Sequence, residues 1–244
     1  MVLTIIAQNG GTGKTTTAAA VAQAAGYLGK RVLAIDFDPQ GHLSWALNAD
    51  RRRGDAYQLI TGTPAREAIQ TAHGIDVIAS NSALSTLRSG KGSARRLEYA
   101  IESIRGLYDL IVIDTPATAG ELQYNAIQAA DGVVIPLVVD TYSIMSLYQT
   151  ADTVEQIRQT NERLRWAGLV LPMYNSRPKF NRQMRDKLEA IARDNNIEYL
   201  GAIRVNTALK EAAGLRESIY SYAPKSAGAQ DYLQITRQIL EIAG

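Results

Sequence analysis

The sequence predicts an α/β fold in which a mostly parallel central sheet is covered by helices on both faces. Short runs of consecutive apolar, often β-branched residues recur along the chain, and helical stretches lie between them. Consecutive rather than alternating apolar positions are typical of strands buried on both faces. Strands that alternate with helices are joined by right-handed crossovers, which place the strands parallel to one another.

The predicted elements follow one another along the whole chain. The buried strands are predicted at residues 3–7, 32–35, 75–78, 110–113, 133–139, 169–173 and 200–203. The helices are predicted at residues 15–27, 94–104, 121–129, 144–158, 182–193 and 228–242. A length of 244 residues suits one large α/β domain, so we expect a single domain over residues 1–244. The small, polar segment 89–93 is the best candidate for a mobile segment.

Composition and charge exclude several classes of protein. The formal net charge is only +2, so the overall charge does not indicate a nucleic-acid partner. The absence of cysteine excludes disulfides, cysteine-ligated zinc, iron–sulfur clusters and thiol catalysis. No apolar run approaches the roughly 18 residues of a transmembrane helix, and the first strand lacks the basic start of a signal peptide. We therefore expect a cytoplasmic protein.

The strongest motif lies between the first predicted strand and the first helix, with the sequence QNGGTGKTT at residues 8–16. Glycines let backbone N–H groups close around phosphate oxygens, and the helix that follows directs its positive end at the same anion. Lys14 is expected to reach the β- and γ-phosphates, and the Thr15 hydroxyl to hold Mg²⁺. Because Gln8 replaces the first glycine of the strict pattern, the match is to the deviant Walker A form, GGxGK[ST]. The predicted nucleotide-binding residues here are Gly10, Gly11, Thr12, Gly13, Lys14, Thr15 and Thr16. The alternative is a glycine turn that only caps a helix.

Two predicted strands end in carboxylates. The strand at 110–113 is followed by Asp114, the Walker B arrangement, where the carboxylate would hold a magnesium-bound water. The second strand is followed by Asp36 and Asp38. Asp38 is placed to orient or polarise an attacking water, and the alternative is that it caps the helix after Gly41.

Together these segments resemble the ParA family of partition ATPases, within the wider ParA/MinD group of P-loop NTPases. The resemblance covers nearly the whole chain, and its closing block is specific because generic P-loop proteins lack it. The matching blocks are residues 10–18, 29–41, 108–116, 125–137, 173–177 and 222–233.

The resemblance implies roles for single residues. Lys14 matches the phosphate-binding lysine and Asp38 the aspartate required for hydrolysis, which makes these two the predicted catalytic residues. Thr15 and Asp114 are the predicted Mg²⁺ residues. Asn206 matches an asparagine that contacts the nucleotide base, although the family usually has proline where this chain has Arg204.

The resemblance also implies a mode of action. Such proteins bind ATP and Mg²⁺, close into a homodimer, and coat DNA without sequence specificity. A partner, either a ParB-like protein or a cargo adaptor, then stimulates hydrolysis and releases the dimer. The expected chain is therefore a nucleoid-associated ATPase whose turnover is weak without its partner.

One position departs from the family. ParA relatives carry a signature lysine just before the glycine pair, which reaches the phosphates of the partner subunit, whereas Asn9 stands here by substitution or by a one-residue deletion. Two interpretations remain open. Another cation takes the role of this lysine, as in carboxysome-positioning relatives, or dimerisation and turnover are weak.

A basic stretch at residues 177–187 is the candidate DNA-binding surface. Arg177 matches a family arginine implicated in DNA binding, and the predicted DNA-binding residues are Arg177, Lys179, Arg182 and Arg185. The alternative is a solvated helix face, and a second family arginine position falls on Thr207 or Ala208. Membrane binding is not expected, because Arg237 is the only cation of the last predicted helix.

Three hypotheses follow for the function. The first is an ATPase that partitions a plasmid or mobile element on DNA. The second is a related ATPase that positions a protein cargo, such as a carboxysome or a conjugation apparatus. The third is a nucleotide-bound regulatory module with little hydrolysis, which the loss of the signature lysine at Asn9 motivates.

Overall fold

The strands form one sheet in the computed structural model, which describes residues 1–53, 55–87 and 93–243. They are β1 (Val2–Ile5), β2 (Val32–Asp36), β3 (Gln70–Ala72), β4 (Ile75–Ile78), β5 (Leu110–Asp114), β6 (Gly132–Pro136), β7 (Arg165–Tyr174) and β8 (Tyr199–Arg204). Their order across the sheet is β3-β4-β2-β5-β1-β6-β7-β8. All neighbours are parallel except β3 and β4, which are antiparallel.

Helices occupy most of the connections between the strands. They are α1 (Lys14–Tyr27), α2 (His42–Ala46), α3 (Ala56–Thr61), α4 (Ala65–Ala68), α5 (Arg96–Ile101), α6 (Glu121–Ala129), α7 (Ser143–Arg158), α8 (Lys179–Asp194), α9 (Thr207–Leu215), α10 (Ile219–Tyr222) and α11 (Ala227–Ala243). Short 3₁₀ turns lie at Ser82–Thr86, Ser93–Arg95 and Arg105–Leu107. Across the ranges that the structure describes, no helix combines the length and apolar character needed to cross a bilayer.

The sheet is buried on both faces, as the consecutive apolar runs predict. In β5, Leu110 and Val112 pack into the core beneath α1 and α11, whereas Ile111 and Ile113 pack against α3, α5 and α6 on the opposite face. A third cluster joins β6 and β7 to α7 and α8. The predicted fold class, a mostly parallel sheet with helices on both faces, is confirmed.

The differences from the predicted elements are local. Strand β3 was not predicted, because its three residues are partly exposed and carry no apolar run. Helices α3, α4, α9 and α10 were also not predicted. The strand predicted at 133–139 ends at Pro136, which has no N–H to donate to a neighbouring strand. The helix predicted at 94–104 is regular only in α5, with 3₁₀ turns on both sides. The mobile segment predicted at 89–93 lies outside the described residues except for Ser93.

The topology brings three loops to one edge of the sheet. From β1 the chain continues to β2, toward the β3 edge of the sheet. From β5 it crosses to β6, on the opposite side of β1, so the direction of the strand order reverses at β1. Ligands of open α/β sheets bind in the crevice at such a reversal, beyond the carboxyl ends of the strands. In the register of the sheet Asp114 is the partner of both Ile5 and Asp36, which places the ends of β1, β2 and β5 side by side.

Candidate nucleotide site

The loop between β1 and α1 has backbone angles that glycine adopts readily and other residues avoid. Gly11 has a φ of 74° and Gly13 a φ of 82°. A Cβ atom on Gly13 would also lie 3.1 Å from Cβ of Pro172 on β7. The conformation of the loop therefore requires glycine at positions 11 and 13.

Helix α1 begins at this loop with its first amides available. Its N-cap is Gly13, and no side chain in the described part of the chain caps it. The amides of the first turn have no acceptor within a helix, and together with the helix dipole they form a binding site for an anion. The alternative of a glycine turn that only caps a helix does not explain the buried lysine, Lys14, beside these N–H groups.

Lys14 is that lysine, and its side chain is only 7% exposed. Its ammonium donates to the backbone carbonyl of Asn9 at 2.9 Å. Burial lowers the pKa of Lys14, while the negative charges of Asp114 and Asp38 partly oppose that change. A phosphate beside this ammonium would stabilise its charged form, because an opposite charge compensates for lost hydration.

Two carboxylates, Asp36 and Asp114, are completely buried at the ends of β2 and β5. Asp36 Oδ2 accepts hydrogen bonds from the backbone N–H and the hydroxyl of Ser44, at 2.7 and 2.6 Å. Its Oδ1 accepts from the N–H of Asp38 at 3.2 Å. Burial raises the pKa of Asp36 to about 6, although the bonds from Ser44 act in the opposite direction.

Asp114 has one satisfied oxygen and one unsatisfied oxygen. The Thr15 hydroxyl donates to Oδ2 at 2.7 Å, and Oδ1 is buried without a hydrogen-bond partner among the described residues. Burial and the nearby Asp36 raise the pKa of Asp114 well above its usual range. A buried carboxylate with a free lone pair is the environment that a bound cation stabilises.

The residues present fit Mg²⁺ held jointly with a phosphate. No group of three or more histidine or acidic side chains with metal-binding geometry occurs among the described residues. Mg²⁺ in nucleotide sites takes only one or two protein ligands and fills its octahedron with water and phosphate oxygens. Thr15 and Asp114 would supply the protein side of such a site.

Asp38 lies half-buried beside this centre. Its Oδ1 accepts from the N–H of Gln40 at 3.0 Å, and its carbonyl accepts from the Ser80 hydroxyl at 2.6 Å. The N-cap of α2 is Gly41, with a φ of 70°, so Asp38 does not cap that helix. The charge of Asp38 acts on both Lys14 and Asp114. Its role in hydrolysis stays a prediction.

Asn206 lies at the N-cap of α9, away from the loop sequence that carries the phosphate motif. Its Oδ1 is buried and has no hydrogen-bond partner in the described ranges. Arg204, which replaces the usual proline, forms a forked ion pair with Asp231 of α11 at 2.7 Å and is turned toward that helix. The contact of Asn206 with a base stays a prediction.

The four predicted DNA-binding residues lie on α8 and in the loop that joins it to β7. Arg177 and Lys179 are exposed. Arg182 donates to the carbonyls of Ser176 and Arg177, at 2.7 and 2.6 Å, and so fixes the loop. Arg185 pairs with its neighbour Asp186 at 2.7 Å.

Sequence reasoning missed the residues that support the site from outside the motif. Ser44 holds Asp36, but nothing in its local sequence marks it. Asp36 itself was visible as a second carboxylate, and its complete burial is what distinguishes it from Asp38. Gln8 and Asn9 are hydrogen-bonded to helix α7, far away in sequence.

Known proteins are similar to this chain in sequence and in fold. The chain matches a family model described as an AAA domain over residues 1–166. The chromosome partitioning protein ParA of Caulobacter vibrioides is 36% identical, in a match that covers 98% of this chain and 93% of that protein.

Two solved structures have the same architecture. The ATP complex of Cyanothece McdA has a TM-score of 0.85 at 20% identity and covers 98% of this chain and 95% of that one. The septum site-determining protein MinD of Pyrococcus horikoshii, complexed with Mg-ADP, has a TM-score of 0.82 at 23% identity, with 100% and 97% covered. At these identities the structures show the fold, and the sequence match shows the relationship. The chain belongs to the ParA family of P-loop ATPases.

Proposed function

We propose that this chain is a ParA-like ATPase, a single P-loop domain over residues 1–244, that binds Mg-ATP and dimerises on DNA to partition a plasmid or mobile element. One observation carries the nucleotide assignment. The Thr15 hydroxyl and the unsatisfied Oδ1 of Asp114 lie at the end of β5, beside the buried ammonium of Lys14. This combination provides a cation site and an anion site next to each other, which is what a metal–triphosphate needs.

The residues of the chain divide the work of phosphoryl transfer. Mg²⁺, when bound, neutralises charge on the β- and γ-phosphates. Lys14 and the amides of the glycine loop would bind the phosphates, and Thr15 and Asp114 would hold the cation. Asp38 orients and polarises the attacking water, because its half-buried carboxylate acts on both Lys14 and Asp114.

The basic surface of α8 supports the DNA part of the proposal. Arg177 and Lys179 are exposed, and an array of such cations across a dimer neutralises several phosphates without reading sequence. Binding of this kind is weak for one subunit and strengthens on dimerisation, since the two surfaces act on one duplex. The nucleotide then controls attachment to the nucleoid through the oligomeric state.

A second candidate is an ATPase that positions a protein cargo on the same DNA matrix. Asn9 favours this candidate, because carboxysome-positioning relatives also lack the signature lysine that ParA relatives carry at this position. The neighbouring gene product discriminates between the two functions. A centromere-binding protein that stimulates hydrolysis supports partition, whereas stimulation by a cargo adaptor supports positioning.

DNA binding with and without ATP is the direct test. We expect Mg-ATP to increase the affinity for random duplex DNA at low salt, and Mg-ADP to have no such effect. If ATP fails to increase DNA binding although the protein takes up Mg-ATP, the DNA-based functions are wrong. Stimulated phosphate release in the presence of DNA and partner would exclude a regulatory module with little hydrolysis.

A further inference from the structure

Two consecutive side chains of the phosphate loop are hydrogen-bonded to one helix, α7. Gln8 Nε2 donates to Thr153 Oγ1 at 2.8 Å and to the carbonyl of Gln149 at 3.0 Å. Asn9 Nδ2 donates to Ser146 Oγ. Ser146 and Thr153 are seven residues apart, about two helical turns, so their side chains lie on the same face of the helix. Gln8, Asn9, Ser146 and Thr153 are called the α7 brace below.

The brace continues to the catalytic lysine through the backbone of Asn9. The Asn9 carbonyl accepts from the Lys14 ammonium at 2.9 Å and from the Thr12 hydroxyl at 3.3 Å. Its side chain is held by Ser146, so one residue is bonded to α7 on one side and to Lys14 on the other. The orientation of Asn9 therefore sets the position of the ammonium.

Hydrogen bonds from Gln8 and Asn9 connect the phosphate loop to α7 beside a cavity. The cavity has a volume of about 140 Å³, and its lining includes Asn9 and Thr12 of the loop and Ser143 and Ser146 of α7. The hydroxyl of Thr153 donates to the carbonyl of Gln149 at 3.1 Å, which leaves its oxygen free to accept from Gln8. Ser146 and Thr153 are 3% and 9% exposed, so each acceptor would lose its partner at a buried position if the loop moved away from α7.

We propose that Ser146 and Thr153 are positioning residues for the nucleotide site, because they fix the 8–9 segment so that Lys14 and the loop amides converge on the phosphates. This proposal rests on the proposed binding of Mg-ATP. It gives Asn9 a role inside its own subunit. Asn9 is then a structural part of the phosphate loop, and a lysine at this position would break the brace.

Substitutions at Thr153 test the brace with a matched pair. Thr153→Val keeps the shape and removes the hydroxyl, whereas Thr153→Ser keeps the hydroxyl. Calorimetry with a non-hydrolysable Mg-ATP analogue should show about five- to tenfold weaker binding for Thr153→Val and Ser146→Ala, and wild-type binding for Thr153→Ser. Gln156→Ala, on the exposed face of α7, is the control and should bind as the wild type does.

A role in stability alone predicts a different result. Thermal unfolding without nucleotide shows whether a variant is folded, and a folded variant with weakened binding has lost loop positioning. For the brace variants the KM for ATP should rise about five- to tenfold, in line with affinity, while kcat at saturating ATP changes less than about twofold.

Asn9→Lys supplies the decisive comparison with Asn9→Ala. We expect both variants to bind the Mg-ATP analogue more weakly than the wild type by a similar factor. Wild-type affinity in Asn9→Lys, in Ser146→Ala or in Thr153→Val would overturn the brace and leave the proposed function standing. Equal weakening in Thr153→Ser and Thr153→Val would also overturn it. Failure of the wild type to bind the nucleotide would instead remove the proposed function, and the brace with it.

Discussion

The carboxyl edge of β1, β2 and β5 and the basic surface of α8 both carry charged groups, but they hold them in opposite ways. At the nucleotide edge Asp36 and Asp114 are completely buried and Lys14 is 7% exposed. On α8 the cations are solvated or paired with near neighbours, as Arg185 is with Asp186. The charged groups of the nucleotide edge are shielded from water, whereas those of α8 are hydrated.

This difference predicts how each region responds to mutation. A buried charge interacts strongly with its neighbours and leaves a costly unpaired group when a partner is removed. An exposed charge is screened, so each contact adds little and several are needed. Single substitutions at the nucleotide edge should therefore act almost as switches, whereas those on α8 should act in small, additive steps.

The largest effect is expected for Lys14→Ala. The variant loses the only buried cation of the loop region described here and leaves Asp114 and Asp38 without its opposing charge. We expect affinity for Mg-ATP to fall by at least about 100-fold in calorimetry. Unchanged affinity would contradict the assignment of the phosphate loop. Single substitutions would then have similarly small effects at the nucleotide edge and on α8.

Asp38→Ala should separate hydrolysis from binding. Asp38 is half-buried, and among the described residues its carboxylate accepts a hydrogen bond only from the N–H of Gln40, two residues later in the chain. Its removal should therefore leave the fold intact. We expect stimulated phosphate release to fall by about 100-fold or more, with nucleotide affinity changed less than about threefold. A single-turnover assay beside calorimetry measures both. Equal losses of binding and hydrolysis would show that Asp38 only supports the site.

The sequence predicted the residues of the nucleotide edge better than the residues that hydrogen-bond to them from other elements. Consecutive apolar residues predicted the sheet. The glycine loop after β1 and Asp114 at the end of β5 predicted the candidate site. Both signals are local in the sequence. Ser44, Ser146 and Thr153 could not be predicted, since each acts on a residue that only the tertiary fold brings near. Strand β3 was missed because its pairing with β4, and not an apolar run, makes it a strand.

On α8 we expect smaller changes that add together. Arg177→Ala and Lys179→Ala should each weaken ATP-dependent DNA binding about two- to fivefold and reduce the slope of log affinity against log salt by about 1. Arg193→Ala, at the far end of the same helix and of equal charge change, is the control. DNA titrations at several salt concentrations give the slopes. Identical slopes for the control and for Arg177→Ala would make this surface a solvated face only.

The smallest expected effect is the pH dependence of stability, which also arises from burial. Burial raises the pKa of Asp36 to about 6 and raises the pKa of Asp114 well above its usual range. The folded chain thus keeps protons that the unfolded chain has released. Stability from these groups is complete below about pH 4 and is lost as pH rises through the folded-state values. Between about pH 5 and 7 the unfolding temperature without nucleotide should therefore fall by a few degrees.

Asp114→Asn tests whether the buried carboxylates cause this fall. The amide can still accept from the Thr15 hydroxyl but cannot ionise, so the unfolding temperature should fall less steeply with pH than in the wild type. The same variant should lose most of the Mg²⁺ dependence of nucleotide binding, because the cation loses its carboxylate ligand. An unfolding temperature that falls equally steeply in both proteins would show that Asp114 does not contribute to the pH dependence.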